Sequence, residues 1–560
     1  MSDGGTADEL VFLPLGGVGE IGMNLALYGF GPPHAKKWLM VDCGVTFAEP
    51  RFAPGVDLIL PDIAFIEEER RDLLGIVITH AHEDHYGALL DLWPRLEVPV
   101  FATAFAAGLL KAKALENNKI VTPDVTVVAQ GEVIDLPPFR VELVPVSHSI
   151  PEPNALAIET PHGLIVHSGD WKIDPTPGIG TAINIDRFRA LGEAGVLALM
   201  CDSTNAIRSG RSPSERDVAE GLRKLVETAP HRVAVTAFSS NVARIRAICE
   251  AAAASDRHVV VMGRAMRRVI EVATECGFMD GLPRFLTEDD VGHLPRDKVL
   301  ILLTGSQGED RAALARIASD GHPRVALSAG DRVIFSSRTI PGNEKAVGQV
   351  VNGLALQGID VITDADGLVH TSGHPRRDEL MELYAWLKPQ ILVPVHGEPV
   401  HLTAQAKLAR DAGIAEIVVT QNGKMVRLSP SPAQVIDEVP TDILFMDGRL
   451  LRTPEASNVR ERRALAFAGV VTAVVTLDDR FELDDEPSVV LMGVPTHDDS
   501  GETFREQLVD EVASAVGSIP RHRRRDRDVV VQAARRAIRA HMAQRWGKKP
   551  LCHVFVVSAS

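Results

Sequence analysis

Short apolar runs recur along the chain up to about residue 430, and many of them stop at a glycine, a small polar residue or a histidine. Leu73 to Ile78 is one such run, and its length and polar boundary mark a buried strand. Residues 10 to 15, Asn24 to Phe30, Lys37 to Asp42, Val98 to Thr103, Val125 to Val128 and Arg140 to Val146 read the same way. Helical spacing covers Tyr86 to Trp93 and Ala104 to Glu116, so strands alternate with helices in the manner of an α/β protein. A second alternating series begins after the strand Val196 to Cys201. Its members are Pro213 to Thr228 (helix), Val233 to Phe238 (strand), Asn241 to Ser255 (helix), His258 to Met262 (strand) and Ala265 to Cys276 (helix), then strands at Val299 to Leu303 and Arg332 to Ser336. That is a unit of roughly 140–160 residues, an ordinary domain size.

Beyond Ser429-Pro430-Ser431-Pro432 the texture changes. Strands are expected at Ala464 to Leu477, Ser488 to Pro495 and Cys552 to Val557, and helices at Glu502 to Val516 and Asp528 to Gln544, a small α+β domain. These breaks divide the chain into 1–207, an insert at 208–365, a return to the first domain at 366–430, a linker at 431–463 and a C-terminal domain at 464–560.

The chain has 560 residues, too many for one core. No window approaches the length of a membrane-spanning apolar helix, and the N-terminus lacks a signal-peptide pattern, so a cytoplasmic protein with no membrane association is expected. Five scattered cysteines read as reduced thiols. A net charge of −16 argues against a general nucleic-acid coat while leaving room for a local basic groove. The one basic block, Arg521 to Arg527, reads as a solvated helix entry or subunit contact, with phosphate binding as the alternative.

Chemistry concentrates in Thr79-His80-Ala81-His82-Glu83-Asp84-His85, directly after the strand at Leu73 to Ile78. Neutral imidazole and carboxylate both suit Zn²⁺. Three further strands deliver ligand-type residues at their ends: His148, Asp170 and His396. Seven such groups suit two cations sharing a site, with His80, His82 and His148 on one, Asp84, His85 and His396 on the other, and Asp170 bridging. A metal pair clamps the attacking and leaving oxygens of an in-line displacement and lowers the pKa of a bound water to about 7. Gly17-x-Gly19-x-x-Gly22 matches a dinucleotide fingerprint, but the segment after it is strand-like where that motif needs a helix, so a glycine turn beside the active site is expected.

This His-x-His-x-Asp-His cluster, with His148, Asp170 and His396, resembles the metallo-β-lactamase superfamily. The insert resembles the β-CASP domain of its nucleic-acid branch, with Asp202, His374 and His396 on that branch's added motif positions. Leu15-Gly-Gly-Val-Gly-Glu-Ile-Gly, Cys201-Asp-Ser-Thr-Asn, Phe238-Ser-Ser-Asn, Phe335-Ser-Ser-Arg-Thr-Ile-Pro-Gly-Asn, His370-Thr-Ser-Gly-His and Pro394-Val-His-Gly-Glu are similar to blocks of bacterial ribonuclease J in the same order. Ala265 and the run Gly308-Glu309-Asp310-Arg311 depart from that pattern without touching a metal ligand.

The resemblance implies an αββα metallo-β-lactamase sandwich carrying an inserted β-CASP α/β domain and a small α+β C-terminal domain. It implies two Zn²⁺ per chain, with Mn²⁺ or Mg²⁺ able to serve in activity, and hydrolysis of single-stranded RNA from a 5′-monophosphate end and internally, in mRNA decay and rRNA processing. It also implies a homo-oligomer, dimer or tetramer, with RNA-degradation or ribosome-processing partners. Asp84, His374 and Asp202 are the implied catalytic residues, with His374 donating to the scissile phosphate. Ser239, Ser240 and Asn241 with His370, Thr371, Ser372, Gly373 and His374 offer hydroxyls, an amide and backbone N–H groups for a terminal phosphate, with no lysine or arginine apparent beside them. Gly55, Asp57 and Asp447 resemble the oxygen ligands of a structural Ca²⁺. Three other readings compete: a DNA-directed nuclease of the same branch, a small-molecule hydrolase, for which the large insert has no use, and an inactive scaffold, which would have lost ligands.

Overall fold

The computed structural model describes residues 8–49, 51–340 and 342–558. They fall into two compact units, one made of residues up to Thr46 together with Leu60–Asp442, the other of Phe47–Ile59 with Ile443 onward.

In the first unit an eight-stranded and a seven-stranded sheet face each other. Their inner faces interdigitate: Leu10, Phe12, Tyr28, Leu39 and Val77 from one meet Phe139, Val141, Leu156, Ile165 and Val393 from the other in one fully buried cluster. Strands buried on both faces explain the near-continuous apolar runs of the sequence. Helices Ile185–Ala194, Arg377–Leu387 and Pro399–Asp411 supply Phe188, Leu191, Leu383, Leu387 and Ala409 to a second core that includes Leu164, Val166, Leu199 and Leu392 of the seven-stranded sheet. Both sheets are completed by late chain: Ile391–Val395 pairs with Val196–Asp202, and Lys424–Ser429 pairs with Glu9–Gly16.

The insert is a five-stranded parallel sheet flanked by helices. Its strands include His258–Met262, Val299–Leu303, Val233–Thr236 and Arg332–Phe335, adjacent in that order. Helix Glu215–Glu227 begins with a capping box, the Ser214 hydroxyl accepting from Asp217 N–H and the Asp217 carboxylate accepting from Ser214 N–H. A fully buried ion pair joins the Arg244 guanidinium to Glu215 at 2.8 Å, and the backbone N–H of Glu215 donates to the buried Asp174.

In the second unit, Val470–Leu477, Ser488–Met492 and Leu551–Ser558 form a three-stranded sheet. Helices Phe504–Gly517 and Arg527–Arg545 bury Leu508, Val512, Ile538 and Met542 against it. The basic block is the turn between these helices, and Arg524 in it is buried, donating to the carbonyls of Ile519 and Gly517.

Three expectations are corrected. Residues 431–463 are not a bare linker: Ser429-Pro430-Ser431-Pro432 turns a hairpin into Gln434–Glu438, and Ile443–Asp447 pairs with Leu450–Arg452, burying Phe445 and Met446. Ala464 to Ala468 belongs to a helix, Val459–Ala468, so the strand starts only at Val470. The helix expected over Tyr86 to Trp93 is two helices, Glu83–Tyr86 and Leu89–Leu96.

Candidate metal centre

Strand Leu73–Val77 delivers His80, and the chain then turns so that His82 precedes the short helix Glu83–Tyr86, which carries Asp84 and His85. That helix is held by the loop after strand Lys37–Val41: Cys43 N–H donates to His85 O at 2.7 Å and Val45 N–H to Glu83 O at 3.0 Å. Gly44 sits so close that a β-carbon on it would lie 1.7 Å from the Asp84 carbonyl oxygen, so only glycine permits this approach.

The seven residues converge in two groups. His80 Nε2 lies 3.1 Å from His82 Nδ1, and His148 Nε2 lies 3.0 Å from the same atom. In the other group, Asp84 Oδ2 is 3.7 Å from His85 Nε2 and 3.8 Å from His396 Nε2. Asp170 Oδ2 belongs to both, at 3.8 and 3.6 Å from His80 and His148 and at 3.3 Å from each of His85 and His396. Bond lengths of about 2.0–2.1 Å put neighbouring ligand atoms of tetrahedral zinc roughly 3.4 Å apart, so these separations fit a divalent cation in each group. Burial points the same way, because Asp170 Oδ1 is buried and has no hydrogen-bond partner among the described residues.

Behind the ligands stands a carboxylate that the sequence did not single out. Asp42 accepts from His85 Nδ1–H at 2.7 Å, from Thr79 N–H at 2.8 Å and from the Thr79 hydroxyl, whose oxygen lies 3.0 Å from His80 Nδ1. One buried carboxylate therefore fixes the ring orientation of a histidine in each group, directly at His85 and through Thr79 at His80. Asp42 holds this place with a left-handed backbone, φ 62°. Its only sequence signal was a polar residue ending a strand. Asp42→Asn is expected to lower metal affinity by roughly 10–100-fold while leaving the fold intact, as read by metal titration against circular dichroism.

His148 is oriented from another side, its Nδ1 lying 2.7 Å from the Gly373 carbonyl oxygen. A β-carbon on Gly373 would stand 2.4 Å from that nitrogen. The glycine turn predicted beside the site is there: His396 N–H donates to Gly17 O at 2.7 Å and Gly19 N–H to Gly397 O at 3.0 Å, holding His396 at φ 51°.

Charge is distributed unevenly. Burial first, and neighbouring imidazoles second, keep His80, His82 and His148 neutral, His82 down to about 3. Burial also works against protonation of His85 and His396, but Asp170 together with Asp84 and Asp42 at His85, and together with Asp202 at His396, raises both. Asp170 is held well below the usual carboxylate range, since His396 and His85 override its burial. At the partly exposed His374 desolvation opposes the charge, yet Asp202, whose Oδ2 lies 2.8 Å from His374 Nδ1, and Asp170 hold it up to about 9. His374 and Asp202 thus form a third cluster with His396 beside the two groups.

The residues expected around a terminal phosphate have varied surroundings. Asn241 caps helix Val242–Ala254, its Oδ1 accepting from Arg244 N–H at 2.9 Å, and its amide N–H groups have no acceptor among the described residues. Ser372 accepts from Asn205, and the Thr371 hydroxyl donates to Pro213 O. The expectation that no cation stands nearby is corrected. Burial and then Arg244, Arg338 and Lys172 drive His370 down to about 3, and Arg244 Nη1 donates to the Val369 carbonyl. Arg244 follows Asn241 in the first turn of the same helix, and Arg338 lies in the loop after strand Arg332–Phe335; local sequence reading sets neither beside His370.

At the expected calcium position the Arg462 guanidinium bonds Asp447 and donates to the Pro54 carbonyl at 3.3 Å, and a β-carbon on Gly55 would meet it at 2.7 Å. An arginine already supplies the positive charge there, so Gly55, Asp57 and Asp447 do not fit a cation in this arrangement.

A two-sheet sandwich with seven clustered ligands and an inserted parallel sheet defines a metallo-β-lactamase-type hydrolase of the β-CASP kind. Family models agree: the metallo-β-lactamase superfamily over 29–179, the ribonuclease J β-CASP domain over 230–354, the Zn-dependent metallo-hydrolase RNA specificity domain over 358–419 and the ribonuclease J C-terminal domain over 457–559. The chain is 56% identical to ribonuclease J of Sinorhizobium meliloti, over 98% of this chain and 97% of that one. It is 36% identical to the Corynebacterium glutamicum ribonuclease J over 97% and 75% of the two chains, and 36% identical to that of Thermus thermophilus over 86% and 85%. The chain belongs to the ribonuclease J family. A solved structure of a protein of unknown function from Enterococcus faecalis shares the fold, with a TM-score of 0.52 at 18% identity over 75% of this chain and all of that one. No described helix is long and apolar enough to cross a membrane.

Proposed function

We propose that the chain hydrolyses RNA phosphodiester bonds with two Zn²⁺ ions, from a 5′-monophosphate end and also internally. The observation that carries this reading is Asp170 Oδ2, within 3.3–3.8 Å of imidazole nitrogens from both ligand groups, the placement a bridging carboxylate requires. Its RNA specificity is supported by the name of the Sinorhizobium relative and by the RNA-specificity domain matched at 358–419. Incubating the protein with 5′-monophosphate and 5′-triphosphate RNA, with and without chelator, tests both parts. Metal-independent cleavage, or none in zinc, would overturn the reading.

His80, His82, His148 and Asp170 would hold one ion, and Asp84, His85, His396 and Asp170 the other. Bound there, divalent cations supply Lewis acidity and a water ionised near neutral pH. The chain's own groups do the rest. His374, held up to about 9 with its Nδ1 on Asp202, has Nε2–H left to donate to a phosphate oxygen as charge develops on it. Asp42 and Gly373 hold the ligand rings in the required tautomers.

Ser239, Ser240 and Asn241 with the turn His370 to Gly373 hold the terminal phosphate of the RNA. Because Arg244 and Arg338 stand near, discrimination against a triphosphate rests on room and not on a lack of positive charge. Ser239→Ala with Asn241→Asp keeps the helix cap and removes two donors. It is expected to reduce the preference for 5′-monophosphate over 5′-hydroxyl RNA while sparing cleavage of a circular RNA. Side-by-side rates on the three substrates check it, and an equal fall on all would assign these residues to the general RNA path. Assembly into a dimer or tetramer, a cytoplasmic location and roles in mRNA decay and rRNA processing complete the proposal.

A further inference from the structure

The inserted sheet carries a second cleft, of about 360 Å³, that no metal ligand lines. It opens where strands His258–Met262 and Val299–Leu303 end, at Gly263, Arg264 and Thr304. Open parallel sheets bind ligands at this carboxyl edge. The neighbouring strands Val233–Thr236 and Arg332–Phe335 end on the same edge, at Ser239 to Asn241 and at Ser336. Two strand spacings, roughly 10 Å, separate the first strand of the series from Val233–Thr236.

Four arginines line the cleft: Arg264, Arg311, Arg316 and Arg324. Arg324 meets Glu288 and Asp289 at 3.6 and 3.5 Å, and Arg267 shares Glu288 at 2.8 Å. Among the described residues, Arg264, Arg311 and Arg316 have no carboxylate within ion-pair distance. The only acidic residue in the lining, Glu288, is already engaged twice. His322 completes the wall, with Nδ1 accepting from Val325 N–H at 3.2 Å, which directs its remaining ring N–H elsewhere as a donor. Three unmatched guanidinium groups around one concavity are costly to hold together in a chain with 75 acidic and 59 basic residues. Their planar donor forks match phosphate oxygens.

We propose that this cleft is an anion site that takes phosphate groups of an RNA strand at a distance from the bond being cut. It rests on the nuclease reading above, and the chemistry it recognises is the phosphate group, carried either by a polyribonucleotide or by a free nucleotide. The carboxyl edge of the sheet thus carries both the strand end at Ser239 to Asn241 and these arginines. The cleft adds affinity and length dependence and touches no reacting atom.

The test is Arg264→Gln with Arg316→Gln in the zinc-loaded full chain; both side chains are exposed, so the fold is not at risk. KM for a 20-nucleotide 5′-monophosphate RNA should rise at least tenfold, and its log–log salt dependence should flatten by about 1.4, two phosphates at roughly 0.7 each. The kcat on a trinucleotide should be unchanged. ADP and inorganic phosphate binding are measured calorimetrically on the same proteins. Loss of ADP binding with unchanged KM for the long RNA keeps the anion site and overturns its RNA assignment. No change in either measurement overturns the site. Failure of the unmutated chain on the trinucleotide would strike the nuclease reading instead, independently of the cleft.

Discussion

Asp170→Ala is expected to abolish RNA hydrolysis and to strip metal from the chain, because a single oxygen of Asp170 faces imidazoles of both ligand groups. The loss should exceed the roughly 10–100-fold typical of removing a group behind the ligands, since here the shared ligand itself goes. Its removal also takes away the carboxylate that raises His85 and His396 most, so both rings should titrate lower in the metal-free variant. Metal content by elemental analysis and rate on a 5′-monophosphate RNA are the two measurements. Glu271→Ala, an exposed change on helix Arg264–Glu275, should alter neither. Full activity in metal-depleted Asp170→Ala protein would dismiss the two-cation reading.

His374→Ala should separate metal binding from rate. The ring lies on Asp202 at 2.8 Å and 3.8 Å from Asp170, beside the two groups and outside both. The variant should retain its metal and lose about 10²–10³ in rate, the usual cost of one donor to a developing oxyanion. Asp202→Asn should bring the same defect in smaller measure and lower the pH above which activity falls, because the charge that holds His374 up to about 9 is gone. A His374→Ala protein that loses an ion would move His374 among the ligands.

The ligand set was legible because much of it is local. His80, His82, Asp84 and His85 occupy one turn, and His148, Asp170 and His396 each end or follow a recognisable apolar run. Asp42 and Thr79 escaped because their roles exist only once strands Lys37–Val41 and Leu73–Val77 lie side by side. Arg244 escaped for a related reason: in the sequence it is one charged position on a helix, and in the fold it is buried against Glu215 and Ser336. The strand misassigned at Ala464 to Ala468 shows the limit of short apolar runs, which fit either period when they are brief. Its helix is set by Val459, buried with Val56 and Phe445, contacts between segments far apart in sequence. The attachment of Phe47–Ile59 to the C-terminal unit has no counterpart in any local pattern.

The late completion of both large sheets bears on biosynthesis. The first ligand group is spelled out once Asp170 has been translated, yet the strand that brings His396 and the strand that closes against Glu9–Gly16 are made much later. At translation rates of about 5–20 residues per second, that delay is on the order of ten to fifty seconds. Throughout it the nascent chain lacks His396 and two neighbours of its sheets, so a ribosome-bound fragment cannot assemble the full cluster.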